Sequence, residues 1–525
     1  MRPRSLKLGT RRSALARAQS ALVAQQLQQS HAGLTVELVG LDTRGDRIQD
    51  RALTSVEGKE FFTAELDAAL LGGAVDLTVH SYKDLSLERP ARLRLAAVPP
   101  RELPHDMAIF ARDVPQRLAA GQELLIGTSS PRRASFLPEL LQRLLPRAQS
   151  SGASARVRLL ELRGNVDSRL RRLHEPRGSA RQLDGIVLAI AGLARLWADA
   201  SGRPLLEELF APLPRMVLPL SACPTAPAQG ALAIECRDDD ATTAQWLTVL
   251  DHAGTRRAVN AERALLAERG GGCHERFGAT MIEVPDLGSL LYLREAHGDA
   301  ADGPPTLIGQ SQLRWTPEFA LAAPDGPVLA WDGSRAARGS IEPLAAGIAL
   351  SLERLPRAHA LFVAHRRALP PGAAGLINPA AHIWVPGLDS WQGLAEQGLW
   401  VEGCADGLGF AALEPLLRAP LLQLPPFTQW TILTHAAAAG GWPSGEVIAS
   451  YRHCDAPTQQ DAPPAAATHL YWHSSAQFDR WYRSSATQAQ HACGPGKTYQ
   501  HLVRAGVQNL RMFPSPAQWR EWLRL

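Results

Sequence analysis

LLIGTSSPRR, residues 124–133, joins a short apolar run to hydroxyl side chains, a proline and two arginines. The apolar run is typical of a buried strand, and hydroxyl residues followed by proline are typical of a helix start. GTRRS, residues 9–13, repeats the order of glycine, hydroxyl residues and paired arginines. Two such loops predict two similar lobes, each with an anion-binding helix terminus that faces a shared cleft. For either loop alone, the alternative is that the hydroxyls only cap helices and the arginines are solvated.

Around these loops, up to about residue 210, short apolar runs alternate with helical patterns. The strand-like runs are 34–41, 75–80, 124–127, 157–162 and 185–190, and the clearest helical stretches are 13–29 and 166–174. This alternation predicts α/β sheets. Polar segments follow the carboxyl ends of these runs, where such sheets bind their ligands.

The composition changes after residue 300. Eleven of the thirteen tryptophans lie from Trp315 onward, and Pro/Ala/Gly-rich joints occur at 301–305 and 322–327. Strand-like runs recur at 328–331, 360–363, 382–385, 430–433 and 469–472. We therefore expect a second α/β unit.

Bulk properties exclude several classes of protein. A chain of 525 residues is too long for one core, and 45% hydrophobic with 20% charged residues is typical of a folded globular protein. A net charge of +4 does not favour a nucleic-acid partner. Six scattered cysteines without a CxxC pair favour a reducing compartment. No run approaches the roughly 18 apolar residues of a membrane span, and the N-terminus lacks a signal-peptide core, so we expect a cytoplasmic protein without membrane contact.

Further motifs identify a family. The segments that carry the resemblance are GTRRS (9–13), TRGD (43–46), GK (58–59), HSYKD (80–84), GTSSPRR (127–133), LRGNV (162–166), LAIAGLARL (188–196), QGA (229–231), IECR (234–237) and GGC (271–273). In order and spacing they resemble the hydroxymethylbilane synthases, also called porphobilinogen deaminases, over residues 5 to about 310.

The resemblance implies a fold and a reaction. The expected fold has two periplasmic-binding-protein-like α/β lobes and a small α+β domain. The expected reaction condenses four porphobilinogen molecules to hydroxymethylbilane, with loss of ammonia, on a dipyrromethane cofactor joined by a thioether to one cysteine. By position that cysteine is Cys273, whose glycine neighbours allow bulky material to approach. A cysteine taken alone is more often an inert small hydrophobe.

The resemblance also implies site residues, because cofactor and substrate carry many carboxylates that arginine forks can bind. It assigns Ser13, Lys83, Ser129, Arg132, Arg133 and Arg163 to the cofactor, and Arg11, Arg169, Arg195 and Gln229 to the substrate. Asp84, with Lys83, is the expected catalytic carboxylate that handles protons as ammonia leaves. The alternative for Asp84 is a helix N-cap after a strand.

This sequence departs from the common bacterial form beside three of these positions. Leu85-Ser86 stands where Val-Pro is usual, Ala228 where Gly is usual, and His274-Glu275-Arg276 where Gln, then a small or apolar residue, then Pro are usual. All three changes flank catalytic or cofactor positions. No HExxH motif occurs, and Cys273 and His274 are adjacent rather than spaced for one metal, so no metal site is predicted.

Residues from about 327 to 525 resemble uroporphyrinogen-III synthase more weakly. The matching segments are VEGCAD (401–406), ASYR (449–452), YWHSSA (471–476), ACGP (492–495) and LVRAGV (502–507). That family has two α/β lobes, no cofactor and few fixed catalytic residues. The resemblance implies that this unit closes hydroxymethylbilane to uroporphyrinogen III with inversion of ring D, and that Tyr451 and Ser474 contact the substrate. For Tyr451 the alternative is a strand residue that fills the interior of a lobe.

The predicted organisation is therefore an α/β multidomain enzyme that acts on small molecules, and we expect a monomer. Lobe 1 is expected at 1–104 with 212–232, lobe 2 at 105–211, the small domain at 233–316 and the synthase-like unit at 327–525. Two rival interpretations remain: a two-lobed anion-binding protein, and a deaminase whose C-terminal half is a structural or regulatory appendage.

Overall fold

A computed structural model describes most of the chain. The described residues are 4–42, 63–148, 151–211, 213–271, 275–297, 306–319, 321, 324, 326–334, 341–454, 462–482 and 488–524. The elements up to residue 250 are β1 (Arg4–Arg11), α1 (Ala14–Ser30), β2 (Leu34–Leu41), α2 (Ala64–Leu71), β3 (Leu77–Ser81), β4 (Leu93–Ala97), β5 (Asp106–Phe110), α3 (Val114–Ala119), β6 (Leu124–Gly127), α4 (Pro131–Leu144), β7 (Val157–Leu160), α5 (Val166–Arg171), β8 (Gly185–Ala189), α6 (Ile190–Ala198), α7 (Arg203–Leu209), β9 (Arg215–Val217), β10 (Leu232–Arg237) and α8 (Ala241–Leu247).

The later elements begin with a helix and a small antiparallel sheet and continue into the tryptophan-rich half. They are α9 (Ala253–Ala267), β11 (Phe277–Val284), β12 (Gly288–His297), β13 (Thr306–Pro317), β14 (Ala330–Trp331), β15 (Ile341–Pro343), α10 (Ala345–Arg354), β16 (Ala360–Val363), β17 (His382–Val385), α11 (Leu388–Ala395), β18 (Gly403–Cys404), α12 (Glu414–Leu417), β19 (Trp430–His435), β20 (Glu446–His453), β21 (His469–Trp472), α13 (Ser475–Trp481), β22 (Gln490–Cys493), α14 (Lys497–Arg504), β23 (Leu510–Met512) and α15 (Pro516–Leu523).

The first two lobes share one strand plan. Lobe 1 has the order β2-β1-β3-β10-β4, and lobe 2 has the order β7-β6-β8-β5-β9. In each sheet three parallel strands are followed by a strand that runs antiparallel to them. The chain crosses between the lobes through residues 98–105 and 218–231. The antiparallel strand of each sheet, β5 or β10, is the first strand after such a crossing. The two predicted similar lobes are therefore present.

Strand pairing moves two of the predicted domain boundaries. β9 pairs with β5, so residues 215–217 belong to lobe 2 and not to lobe 1. β10 pairs with β3 and β4, so residues 232–237 complete lobe 1 and the small domain begins later than residue 233. The apolar pattern of a strand indicates that it is buried but not which distant strand it pairs with, and this is why the predicted boundaries were wrong.

The small domain is the antiparallel sheet β11-β12-β13 with helix α9 beside it. The C-terminal unit again has two sheets, with the orders β15-β20-β19-β16-β17-β18 and β14-β21-β22-β23. Apart from the antiparallel edge strand β15, all of their strands are parallel. The second α/β unit predicted after residue 300 is therefore confirmed. Five of its tryptophans, Trp384, Trp391, Trp430, Trp472 and Trp519, are fully buried.

The C-terminal unit packs tightly against lobe 2. Buried Trp391 donates its indole N–H to the carbonyl of Leu144 at 3.1 Å, and Trp400 donates to the carbonyl of Arg215 at 3.0 Å. The Trp400 ring also meets Phe110 edge to face at 5.1 Å. Val217 N donates to the carbonyl of Glu402 at 2.7 Å, which brings the edge strands β9 and β18 together. One apolar core runs through both units. Among the described residues no helix is both long and apolar enough to cross a bilayer.

Candidate functional site

The loop after β3 carries the expected catalytic pair. Tyr82–Asp84 forms a single 3-10 turn, held by a bond of 3.0 Å from Tyr82 N to the carbonyl of Ala231. The guanidinium of Arg263 lies 4.5 Å from the centre of the buried Tyr82 ring and donates to the Tyr82 carbonyl. Asp84 closes this turn with its side chain exposed, and Ser81 occupies the cap position. The interpretation of Asp84 as a helix N-cap is therefore wrong.

Lys83 points toward lobe 2. Its ammonium donates to Oε1 of Gln229 at 3.2 Å. Burial lowers the pKa of Lys83, while the neighbouring Asp84 carboxylate acts to raise it and Arg133 acts to lower it. Gln229 in turn donates to Asp106, which also binds Arg133, so the lobe 1 loop and the arginine pair of lobe 2 face the same cleft. Lys83, Gln229 and Arg133 are thus linked through hydrogen bonds, and the ligand roles of these residues stay predictions.

Asp106, the first residue of β5, organises this cleft and was not predicted. Its carboxylate accepts bonds of 2.6 Å from Arg132 Nη2, 2.6 Å from Arg133 Nη2 and 2.8 Å from Gln229 Nε2. Burial by itself would raise the pKa of Asp106, but the two guanidinium groups outweigh it and hold that pKa far below its usual range. The sequence does contain a signal for this role, because Asp106 stands directly before the apolar run MAIF. Acidic residues are rarely buried without a cation, so an aspartate at the start of a buried strand indicates a cationic partner.

The paired arginines are consequently anchored. Arg132 is 3% exposed and Arg133 is 6% exposed. Besides Asp106, Arg132 donates to the carbonyl of Pro224 at 2.9 Å and Arg133 donates to the carbonyl of Val187 at 2.8 Å. Nε of Arg132 is buried and has no hydrogen-bond partner among the described residues. Each guanidinium is thus fixed in place by protein groups, and Arg132 retains a donor for a further acceptor.

Two other predicted residues are cations that form no ion pair with a carboxylate in the part of the chain described, although Asp84 acts to raise the pKa of Arg169 and Glu102 that of Arg195. Arg195 is 7% exposed and donates to the carbonyl of Gly230 at 2.5 Å, and Arg169 donates to the carbonyl of Gly164 at 2.7 Å. Burial lowers the pKa of each to about 10, with a contribution from Arg133 in the case of Arg169. Cations held this way are costly unless an anion joins them, so this arrangement favours a carboxylate-bearing ligand.

The two similar loops differ in detail. Ser13 caps α1 by accepting from Ala16 N, whereas Ser130 rather than Ser129 caps α4 by accepting from Arg133 N. The arginines precede the cap in the first loop, where Arg11 ends β1, and follow it in the second. Ser13, Arg11 and Ser129 are half-buried. Arg163, also half-buried, pairs with the exposed carboxylate of Glu161 at 2.9 Å.

Cys273 lies outside the described residues. The described chain ends two residues before it, at Gly271, where φ is +66°. A Cβ built on Gly271 would lie 2.4 Å from Cδ1 of Leu87, so the backbone of Gly271 packs against the loop that follows Asp84. A side chain at that point would separate the two segments.

Ala228, which stands where Gly is usual, has a backbone conformation that favours glycine. Ala228 adopts φ +64°, a left-handed conformation that costs a non-glycine residue roughly 1–2 kcal/mol. Its N–H donates to Oε2 of Glu262 at 2.6 Å, and Glu262 is itself paired with Arg101 at 2.6 Å. The buried Glu262 carboxylate thus holds the turn that presents Gln229.

In the C-terminal unit, Tyr451 is surrounded by imidazoles. The rings of His365, His435 and His453 lie 6.5, 5.7 and 5.5 Å from the Tyr451 ring. These residues lie at or just after the carboxyl ends of the adjacent parallel strands β16, β19 and β20. Tyr451 is 3% exposed, as a residue in the lobe interior would be, yet it sits at the sheet edge where ligands bind. The three histidines were not predicted.

The second lobe of this unit reaches the same edge. Lys497 donates to the carbonyls of Ala438 and Gly440 at 3.0 and 2.9 Å and lies 3.6 Å from the centre of the Trp442 ring. Burial lowers the pKa of Lys497 to about 7. Ser474 caps α13 by accepting from Gln477 N at 3.2 Å, so its hydroxyl has a structural role beside any ligand contact.

Comparison with known proteins gives a consistent result for the N-terminal part. Residues 6–245 match the family described as "Porphobilinogen deaminase, dipyromethane cofactor binding domain". Porphobilinogen deaminase of Sphingopyxis alaskensis is 41% identical over 280 residues, which is 52% of this chain and 78% of that protein. The enzyme of Mycobacterium leprae is 44% identical over 284 residues, 54% of this chain and 78% of that protein. A methionine-binding protein, MetQ, aligns over 51% of this chain and 97% of its own with 15% identity and a TM-score of 0.25.

Proposed function

This chain belongs to the porphobilinogen deaminase family, and we propose that it carries two active sites, a deaminase in its first three fifths and a ring-closing synthase in the remainder. The first activity condenses porphobilinogen to hydroxymethylbilane and uses a dipyrromethane cofactor. We propose three further points: the cofactor is attached to Cys273, the individual site residues have the roles given below, and the C-terminal half has the second activity.

The donor set of the cleft fits a cofactor rich in carboxylates. Lys83, Arg132, Arg133 and Arg163 supply cations, Ser13 and Ser129 supply hydroxyls, and Nε of Arg132 is a buried donor that lacks a partner among the described groups. Each charge-assisted hydrogen bond contributes about 1.5–3 kcal/mol. When bound through Cys273, dipyrromethane supplies the pyrrole carbon to which substrate is added.

The observation that supports the deaminase roles of individual residues is the pair Arg169 and Arg195, two cations that form no ion pair with a carboxylate among the described residues. We assign them, with Arg11 and Gln229, to the acetate and propionate groups of porphobilinogen. The side chain of Asp84 is exposed, and we assign to it the carboxylate that receives a proton from the pyrrole N–H and returns one to the leaving amine.

Intact mass of the full-length protein tests the cofactor attachment. Cys273→Ser should give a protein of unmodified mass without ammonia release from porphobilinogen. Cys454→Ser, which changes a cysteine outside every family motif, should keep both the added mass and the activity. A normal cofactor mass in the Cys273→Ser protein would remove Cys273 from the site.

The synthase proposal is supported by the two-sheet form of the C-terminal unit, by the cluster of three imidazoles around Tyr451 and by fusion to the enzyme that makes the required substrate. Hydroxymethylbilane closes spontaneously to the I isomer, so a tethered synthase gains from a local product concentration of about millimolar. Tyr451 and Ser474 are the proposed substrate contacts.

The product isomer tests this proposal, and the full-length chain is used because the two halves share a buried interface. Porphobilinogen alone should yield mainly uroporphyrinogen III, identified by chromatography of the oxidised porphyrins. Tyr451→Phe should shift the product toward the I isomer without changing ammonia release, and Tyr482→Phe should not. If the active wild-type chain gives only the I isomer, the C-terminal half is an appendage and not a synthase.

A further inference from the structure

The second crossing between lobes contains a turn where four parts of the molecule meet. Residues 219–225 begin with a turn closed by bonds from Ala222 N and Cys223 N to the carbonyl of Pro219. The small domain holds this turn through Arg294, which donates to the carbonyl of Ala222 at 2.6 Å, and through Thr280, whose hydroxyl accepts from Thr225 N at 2.7 Å. The turn is therefore the junction between lobe 1, lobe 2 and the small domain.

Arg132 ties this turn to the deaminase cleft. The same guanidinium that pairs with Asp106 donates to the carbonyl of Pro224 at 2.9 Å and lies 3.8 Å from Sγ of Cys223. A shift of the turn would therefore move the acceptors that fix the orientation of Arg132. Displacements of about 1 Å at a distance from the chemistry can cost roughly a hundredfold in rate.

Asp406 of the C-terminal unit holds the other side of the turn. Its Oδ2 accepts from Leu220 N at 3.0 Å, and its Oδ1 accepts from Ser221 N at 3.2 Å and from the Ser221 hydroxyl. Asp406 has φ +51°, a strained conformation for a residue other than glycine, and such strain persists where surrounding contacts fix it. One carboxylate from the far half of the chain thus caps two backbone donors of the junction.

We propose that Asp406 is a positioning residue for the deaminase reaction, acting through the turn at Leu220–Ser221 on the orientation of Arg132. The C-terminal unit is then part of the deaminase, whatever reaction its own cleft performs. The inference rests on the proposed contact between Arg132 and the cofactor, but not on the synthase activity.

Turnover per cofactor-bearing molecule at 25 °C tests the proposal in the full-length chain. Asp406→Ala should lower kcat, counted on loaded protein by intact mass, by about tenfold or more. Asp406→Asn keeps an acceptor and should recover much of that loss. Ser221→Ala should lower kcat less than Asp406→Ala does. The two effects should not add, because both substitutions remove the same contact between Asp406 and the Ser221 hydroxyl. Asp479→Asn, an exposed carboxylate of α13, is the matched control.

Two results would overturn the proposal, and a further variant separates it from the role of Arg132. A purely structural Asp406 would lower the thermal midpoint while kcat per loaded molecule stays normal in Asp406→Ala. Full additivity of Asp406→Ala and Ser221→Ala would equally exclude a shared action. Arg132→Gln should reduce cofactor loading, and normal loading in this variant would reject the contact between Arg132 and the cofactor. If loading falls in Arg132→Gln but kcat stays normal in Asp406→Ala, only the positioning role of Asp406 is rejected.

Discussion

At the scale of single residues, the cleft combines one exposed carboxylate with several arginine side chains whose positions are fixed by hydrogen bonds to other protein groups. Asp84 is held by backbone and not by its own side chain, since the 3-10 turn is fixed through Tyr82 and Arg263. Its carboxylate is therefore left available for chemistry. Asp106, in contrast, is occupied by the arginine pair and by Gln229.

Asp84→Asn should keep the fold and lose at least about a hundredfold in turnover, because general acid–base help is typically 10²- to 10⁴-fold. The rate of ammonia release measures the loss, and an unchanged thermal midpoint shows that the fold is kept. Asp113→Asn, an acidic residue of lobe 2 outside the cleft, serves as control. A near-wild-type rate in Asp84→Asn would exclude the proton-handling role.

Asp106→Asn should destabilise the protein by about 3–5 kcal/mol, because it leaves two buried guanidinium groups without their anion. The pKa of Asp106 is lowered in the fold, so its contribution is complete above the unfolded value near 3.9 and decreases as the pH falls below about 4. Thermal midpoints from pH 6 to pH 3 should therefore decline less steeply in the variant than in the wild type. Parallel curves would show that Asp106 does not carry this pH dependence.

At the scale of elements, close backbone packing positions the crossing segment. Gly278 of β11 lies against the chain at Pro224, and a Cβ added there would stand 2.3 Å from the Pro224 carbonyl oxygen. That oxygen is an acceptor of Arg132, so the strand and the cleft are linked through one carbonyl group.

Gly278→Ala should therefore displace Pro224, lower the thermal midpoint and reduce cofactor loading, as measured by intact mass. Gly375→Ala provides the matched control, because an added Cβ at Gly375 meets nothing within 4 Å. Equal behaviour of the two variants would show that the close approach at Gly278 is not required.

Several elements could be predicted from sequence because their patterns are local. Strands at 34–41 and 124–127 and the helix near 13–29 were placed correctly, since apolar periodicity and hydroxyl caps depend only on neighbouring residues. The helix predicted to reach His174 ends at Arg171. The burial of Asp106 had a local signal in the apolar run that follows it, but its partners, like those of Asp406 and of the three histidines around Tyr451, lie far along the chain and could not be found this way.

At the scale of the whole molecule, the two halves share one apolar core and several buried hydrogen bonds. Arg215 of β9, 5% exposed, donates to the carbonyl of Leu422, and Trp315 of β13 meets Phe513 at 5.1 Å. The C-terminal unit thus contacts lobe 2 and the small domain at the same time. Such a joint should make the unfolding of these parts cooperative.

Trp391→Ala should test this cooperativity, because truncation of a fully buried aromatic residue typically costs 3–5 kcal/mol. Calorimetry should show one main transition in the wild type and two separated transitions in the variant. Phe319→Ala, at a side chain that is 72% exposed, should leave the profile unchanged. Two transitions already in the wild type would contradict the shared core.

The meeting of β9 and β18 has a consequence for how the chain is made. Each is the last strand of its sheet, and an uncovered edge strand recruits other chains. During synthesis lobe 2 emerges first, and its β9 edge stays uncovered until the segment around Glu402 leaves the ribosome. We therefore expect the later half to protect the earlier half from aggregation, and division of the gene into two separate polypeptides should remove that protection.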